Sequence, residues 1–175
     1  MAESESSTSA PADGPQSPMK DALLDHLVGR WEVSGRVGGG SAAQTCDAEW
    51  VLNHQFLRLH LLAVEPTEDT EGGGSTRYEA LVFYGYSHTL DRYVVHWIDV
   101  FGGHFSRELG LGVRTRKGDA VVVEFGKDRW LRNTMTWSSQ DQRWSMLIQQ
   151  RDAKRKWVTF ADTRFARVVE DRTVA

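Results

Sequence analysis

Side-chain character alternates with a period of two along much of this chain, and short polar turns interrupt the alternation at regular intervals. Between residues 78 and 165 every second position is mostly aromatic or aliphatic, and the intervening turns read HTLD at 88–91, SSQDQR at 138–143 and DAKR at 152–155. This pattern is typical of half-buried antiparallel β-strands joined by hairpins. It constrains the fold more than any other feature of the sequence.

Further runs of the same kind bring the prediction to about ten strands, at 31–37, 43–52, 56–64, 78–86, 93–99, 104–114, 120–125, 133–137, 144–148 and 157–165. No helical pattern separates these strands, so they are expected to pair as hairpins in one sheet. A sheet of this size that closes on itself leaves no exposed edge. The sequence therefore predicts an all-β, antiparallel barrel of about 8–10 strands.

The first part of the chain follows a different pattern. Residues 1–16 are rich in Ser, Ala, Pro and Glu, which predicts a disordered tail ahead of a single domain at 17–170. Ser17 and Pro18 suit the start of a helix, and Gly29 suits its end. Four apolar residues between them share one helical face: Met19, Leu23, Leu24 and Leu27. We expect a short helix of about ten residues there.

The turn lengths also predict which residues face each other across strands. A four-residue turn at 88–91 sets up the opposed pairs Tyr84–Val95, Val82–Trp97 and Ala80–Asp99. A four-residue turn at 139–142 sets up Trp137–Trp144, Met135–Met146 and Asn133–Ile148. Because the other face of that second hairpin is polar, its Trp and Met face is expected to point inward.

Composition excludes several classes of protein. The net charge is −3, with 21 basic and 24 acidic side chains, which argues against a general nucleic-acid binder, although residues 104–175 alone carry a net +6. No apolar run approaches the roughly 18 residues of a membrane span. A single cysteine, Cys46, excludes an internal disulfide, and the N-terminus shows no signal peptide. We therefore expect a cytoplasmic protein that contacts neither nucleic acid nor membrane.

Three segments resemble a known family: LVGRWEVSG at 27–35, WVLNHQFLRL at 50–59 and YEALVFYGYSHTLDRYVVHWID at 78–99. They are similar to an uncharacterised bacterial lipocalin-like (calycin) family, number 1579 of the domains of unknown function. The resemblance implies a lipocalin-like barrel with an apolar interior, but no settled reaction. The chain departs from the family pattern at Asn53-His54-Gln55, where Gly-Gly-Arg is common, and at Ala80 and Val82, which would narrow a cavity.

In lipocalin-like barrels the tryptophan of the Gly-x-Trp motif closes one end, and an arginine of the last strand lies across it. Here that tryptophan is Trp31. Arg167 has the strand parity of Trp157 and Phe165, whereas Arg164 has the opposite parity. The resemblance therefore implies a structural contact between Trp31 and Arg167.

The leading functional hypothesis is a protein that binds a small apolar or aromatic ligand inside the barrel. The expected ligand-binding residues are Tyr84, Trp97, Asp99, His104, Glu124, Asn133, Met135, Trp137 and Met146. Among them Asp99 and Glu124 are the polar anchors, each expected on the inner face. An interior filled by side chains alone is the competing interpretation. No cofactor and no metal are expected, because the spacing of His96, Asp99 and His104 fits no metal motif.

Two other functions stay open. Asp99 or Glu124 could serve as general acid or base of an isomerase, cyclase or lyase within the same barrel. Alternatively, the apolar outer positions Leu81, Phe83 and Ile98 could form a homodimer interface. The acidic, Gly-rich loop at 65–77 reads either as a flexible surface loop or as a lid over one end of the barrel.

Overall fold

The computed structural model describes residues 17–68 and 75–169, apart from the side chains of residues 67, 68, 75, 104 and 105. The tail predicted at 1–16 and the centre of the loop at 65–77 therefore lie outside the described residues. Two short helices are present, α1 (Ala22–Asp25) and α2 (Gly103–Ser106). In the described part of the chain no helix is long and apolar enough to cross a bilayer.

Strands make up most of the described chain. In order they are β1 (Gly29–Val37), β2 (Gly40–Val51), β3 (Phe56–Ala63), β4 (Thr67–Glu68), β5 (Ser75–Thr76), β6 (Glu79–Ser87), β7 (Arg92–Asp99), β8 (Gly110–Arg114), β9 (Ala120–Phe125), β10 (Leu131–Ser138), β11 (Arg143–Arg151) and β12 (Trp157–Arg167).

Ten of these strands form a closed antiparallel barrel in the order β1-β12-β11-β10-β9-β8-β7-β6-β3-β2. Strands β4 and β5 pair separately as a short hairpin in the connection from β3 to β6. The last strand pairs with the first, so the barrel has no free edge. The predicted all-β antiparallel barrel of about ten strands is confirmed.

The two predicted four-residue turns are present, and both predicted registers are correct. Ser87 pairs with Arg92 across one turn, and Ser138 pairs with Arg143 across the other. In each turn the last residue has a positive φ of 52°, at Asp91 and at Gln142. Turn length alone therefore set the pairing on both sides, as expected for tight hairpins.

The N-terminal helix is shorter than predicted. It spans Ala22–Asp25, and its N-cap is Asp21, whose carboxylate accepts hydrogen bonds from the backbone of Leu23 and Leu24 at 3.0 Å. The prediction that Ser17 and Pro18 start the helix is wrong, because a better capping side chain lies four residues later. Leu23, Leu24 and Leu27 are nevertheless buried.

The segment predicted as one strand at 104–114 contains two elements. Residues Gly103–Ser106 form α2, and only Gly110–Arg114 form a strand. Gly102, with φ of 68°, precedes the helical turn and breaks the extended backbone.

Two local irregularities, a loop and a β-bulge, change which residues of the neighbouring strands face the interior of the barrel. The loop from β9 to β10 has five residues, so Phe125 pairs with Leu131 and Glu124 pairs with Arg132 on the outer face. A bulge at Phe160 shifts the β11–β12 register, so Gln149 pairs with Thr159 and Trp157 lies outside. The prediction that Glu124 points inward is therefore wrong, and Trp157 does not share the inward face of Phe165, although strict alternation gives the two residues the same parity.

The two ends of the barrel differ. At one end, called here the closed end, α1 packs beside the start of β1. At the other end, called here the mouth, the strands are joined by the two longest connections, 64–78 and 100–109. The large side chains with less than 2% exposure include Trp31, Trp144, Tyr84 and Phe165.

Candidate functional site

The closed end is sealed by the contact that the Gly-x-Trp motif implied. Trp31 pairs with Arg167 across β1 and β12, and the guanidinium carbon lies 4.2 Å from the indole centroid. Arg167 also donates hydrogen bonds to the backbone carbonyls of Val28 at 2.9 Å and His26 at 2.8 Å. The indole N–H of Trp31 donates to Leu27 at 2.7 Å. This end of the barrel is a structural closure, as predicted.

Side chains fill the half of the barrel nearest the closed end. Tyr84 and Met135 are 1% exposed, and burial raises the pKa of the Tyr84 hydroxyl above its ordinary value. Trp137 stacks on His26 beside α1, with 4.7 Å between ring centroids. Tyr84, Met135 and Trp137 therefore form the floor of the interior rather than an accessible wall. For this half, the interpretation of a filled interior is correct.

The half nearest the mouth is built differently. Near the mouth, five neighbouring strands each carry a glycine or an alanine at a position that faces the barrel interior: Ala161 on β12, Gly35 on β1, Ala42 on β2, Ala63 on β3 and Ala80 on β6. These five residues are called here the small-residue wall. Gly35 permits an especially close approach of β1 to β12, since a Cβ there would lie 2.1 Å from the carbonyl oxygen of Asp162. On these five strands, the inward side chains in the small-residue wall are therefore smaller than those in the floor.

A cluster of polar groups lies on β7 at the same level. Asp99 pairs directly with Ala80 of the small-residue wall, as predicted, and Trp97 occupies the next inward position of its strand. The indole N–H of Trp97 donates to the hydroxyl of Tyr78 at 3.3 Å. Both Trp97 and Asp99 are partly exposed, unlike the residues of the floor.

The environment of this cluster raises the pKa of two side chains, Asp99 and Tyr78. Burial raises the pKa of Asp99 above its ordinary value, while hydrogen bonds from the Phe101 backbone, at 3.0 Å, and from the Trp97 side chain oppose the shift. Burial also raises the pKa of Tyr78 to about 12, and the negative charge of Asp99 adds to this effect. At neutral pH Tyr78 is therefore a neutral hydroxyl beside a carboxyl group whose charge is disfavoured.

Three inward side chains of the described barrel have a polar group without a hydrogen-bond partner: the indole N–H of Trp144 in the floor and, nearer the rim, Asn133 and Thr163. Asn133 and Thr163 are each 1% exposed. The amide nitrogen and oxygen of Asn133 and the hydroxyl of Thr163 make no hydrogen bond. Each lies one inward position deeper than a rim residue on its own strand, Leu131 and Ala161 respectively. Unpartnered polar atoms at this depth are uncommon in folded proteins.

The remaining predicted site residues are dispersed. Met146, at 5% exposure, pairs with Met135 of the floor on β10 and with Thr163 on β12. Glu124 lies on the outer surface, where it forms ion pairs with Arg132 at 2.7 Å and Arg129 at 3.4 Å, and it contributes nothing to the interior. The side chain of His104 lies outside the described residues.

Metal ligation finds no support in the described part of the chain, where no group of three or more His, Cys, Asp or Glu side chains is close enough to hold an ion. Cys46 is a free, buried thiol on β2, and burial raises its pKa to about 12. A thiol of that kind is an inert packing group.

Sequence reasoning missed two residues of this region, Tyr78 and Thr163. Tyr78 opens the predicted strand at 78–86 and the third family-like segment, but no pattern in the sequence indicated its hydrogen bond with Trp97. Thr163 lies on the correct inward parity of the last strand, and a search for polar residues on inward positions would have found it.

The chain was compared with known proteins. No protein-family model matches it, and no similar sequence is found among curated proteins. The closed antiparallel barrel is thus a finding, and the lipocalin-like family stays a prediction that rests on the sequence motifs.

Proposed function

We propose that this protein binds a small apolar or aromatic molecule in the mouth half of its barrel. The observation that carries the proposal is the small-residue wall, which extends over five neighbouring strands and adjoins β7 with the partly exposed Trp97. A barrel of this size can enclose one small ligand where its inward side chains are short. The unpartnered atoms of Asn133 and Thr163 at the base of this region support the same proposal.

The lining suits a largely apolar ligand. Trp97 offers an aromatic surface, and Phe125 on β9 and Ile148 on β11 are inward at 6% and 8% exposure. Ligand sites of this kind are mostly apolar, with a few polar groups that orient the bound molecule. Asp99 and Tyr78 provide such groups at the rim.

The test uses a matched pair of substitutions in β2. Ala42 faces inward in the small-residue wall, whereas its neighbour Ala43 is exposed on the outer surface. Ala42→Trp fills the mouth, while Ala43→Trp adds the same side chain outside. The probe is N-phenyl-1-naphthylamine, a neutral aromatic dye that fluoresces in apolar surroundings.

Wild type and Ala43→Trp are expected to bind the dye with similar Kd, and Ala42→Trp is expected to bind at least about tenfold more weakly, a change of about 1.4 kcal/mol. Equal binding by Ala42→Trp and wild type would overturn the proposal, as would no binding by wild type. Circular dichroism melts of both variants establish that each retains the barrel.

One observation favours a second candidate function, an acid–base enzyme that uses the mouth half of the same barrel. Asp99 faces inward with a raised pKa beside the Tyr78 hydroxyl and the Trp97 indole, an arrangement suited to proton transfer. An isomerase, cyclase or lyase would need Asp99 for turnover but not for binding. Asp99→Asn would then abolish conversion of a bound compound without weakening its Kd. Loss of binding alone would favour the simple binding protein.

Two further aspects belong to the proposal. A second copy of the chain is proposed on the outer face of β6 and β7, where Leu81 pairs with Ile98 and Ile98 is 47% exposed. Sedimentation velocity checks this, since a monomer at every concentration contradicts it.

A cytoplasmic location is proposed as well, and the free thiol of Cys46 is compatible with it.

A further inference from the structure

The buried amide of Asn133 has an unusual environment. Its cross-strand neighbours are Val123 on β9 and Ile148 on β11, both apolar, and neither can pair with an amide. Thr163 is flanked in the same way by Gly35 on β1 and Met146 on β11. The backbone groups of these strands are used in the barrel ladders, so both side chains keep their hydrogen-bonding capacity for something else.

An unpartnered polar group lowers stability, and an apolar side chain of similar size would remove that loss. Natural cores accordingly pair nearly all buried polar atoms with protein or ordered water. Asn133 and Thr163 depart from this rule together, two strands apart, at the base of the small-residue wall. Their position indicates a polar partner that enters through the mouth.

The chemistry of the two side chains defines that partner. The Asn133 amide offers two donors and an acceptor, and the Thr163 hydroxyl offers one donor and acceptor sites. Neither is charged, and the directly paired inward residues on both sides are uncharged as well. The inward charge at the mouth is the carboxyl group of Asp99, which disfavours an anion. A neutral group that both donates and accepts hydrogen bonds matches this site.

We propose that Asn133 and Thr163 bind a neutral amide-like head group of the ligand, whose apolar remainder extends along the small-residue wall towards the mouth. This inference rests on the proposed binding function and specifies the ligand class for it. Met135 lies one inward position deeper than Asn133, and Met146 pairs directly with Thr163; both provide flexible side chains that can adjust to the head group.

Three probes of equal chain length test the head-group preference by isothermal titration calorimetry: decanamide, methyl decanoate and decanoate. Decanamide both donates and accepts, methyl decanoate accepts, and decanoate carries a charge. Wild type is expected to bind decanamide at least about tenfold more tightly than the ester, with decanoate the weakest. Asn133→Leu is expected to abolish the preference and leave the Kd of methyl decanoate within about twofold.

Gln149→Leu is the matched control, because it removes an amide from the outer face of the neighbouring strand. It is expected to keep the wild-type preference. Thr163→Val, which preserves shape, is a second variant and is expected to reduce the preference for decanamide about threefold or more.

Thermal unfolding without ligand gives an independent readout. If the Asn133 amide is kept for a ligand, Asn133→Leu unfolds at the same or a higher temperature than wild type. A clear fall in Tm for both Asn133→Leu and Thr163→Val would mean that buried waters or protein groups satisfy these atoms, and it would overturn the inference. Equal affinity of wild type for the three probes would also overturn it, while leaving the binding proposal intact. If wild type binds the aromatic dye but none of the three probes, the inference is overturned and the binding proposal stands; if it binds neither the dye nor the probes, both are overturned.

Discussion

Individual residues at the closed end are joined to one another by several direct contacts. Arg167 shows why: one guanidinium covers the indole of Trp31 and also donates to two carbonyls of the segment that leads into β1. A planar guanidinium can do both at once, which a lysine ammonium cannot. One side chain thus connects the first strand, the last strand and the chain after α1.

Arg167→Ala is expected to lower the free energy of unfolding by about 1–3 kcal/mol, because the two carbonyls and the indole lose their partner. Urea denaturation monitored by tryptophan fluorescence measures the change. Arg164→Ala, on the outer face of the same strand, is the control and should change stability by less than about 0.5 kcal/mol. Equal effects of the two variants would show that the closure contributes nothing specific.

At the scale of elements, the short helix α1 is held to the barrel by a polar network rather than by its length. Asp21 caps α1, and its second carboxylate oxygen accepts a hydrogen bond from Tyr93 of β7 at 2.5 Å. Arg114 at the end of β8 forms an ion pair with the same carboxylate and donates to the Tyr93 hydroxyl at 3.0 Å. A four-residue helix has no stability alone, so this network and the buried leucines hold it.

Asp21→Ala is expected to reduce the free energy of unfolding by about 2–4 kcal/mol, since it removes the N-cap and leaves Tyr93 and Arg114 without their acceptor. Asp21→Asn keeps the capping oxygen and removes the charge, and it should lose about half as much. Chemical denaturation of the two variants beside wild type measures both. A wild-type value for Asp21→Ala would contradict the role of the network.

At the scale of the whole molecule, the closed barrel buries several groups whose charged forms are disfavoured. The pKa of Cys46 is raised to about 12 from 9.0, and those of Tyr78 and Tyr93 to about 12 from 10.0, in each case mainly by burial. In the unfolded chain these groups lose their protons first. Their contribution to stability is therefore complete below about pH 9 and is lost as the pH rises towards 12.

Thermal melts between pH 8 and pH 12 are expected to show a progressive fall in Tm above about pH 9. Cys46→Ala should flatten the first part of this fall, because the thiol has the lowest unfolded pKa of the three groups. A wild-type Tm that stays constant up to pH 11 would contradict the burial of these groups.

The predictions from sequence succeeded where alternation and tight turns decide the outcome. Alternation identified the strands, and four-residue turns at 88–91 and 139–142 led to the correct pairing of Tyr84 with Val95 and Trp137 with Trp144. The inward position of Asp99 followed from the same register. Since side chains alternate strictly along a strand, one correct turn places every residue of both strands on its face.

Tertiary structure decided which face of the sheet a residue occupies beyond a bulge or a longer loop, because alternation alone does not predict the facing there. The loop before β10 has five residues, and this length places Glu124 on the outer face. The bulge at Phe160 places Trp157 there in the same way. Barrel closure also brought β12, β1, β2, β3 and β6 side by side, which assembled a wall of small residues from segments far apart in sequence. The sequence by itself determined most of the strands and the tight turns, and the resemblance implied the contact between Trp31 and Arg167. The floor, the mouth and the isolated polar pair of Asn133 and Thr163 arise only when the sheet closes, because each depends on which distant strands become neighbours.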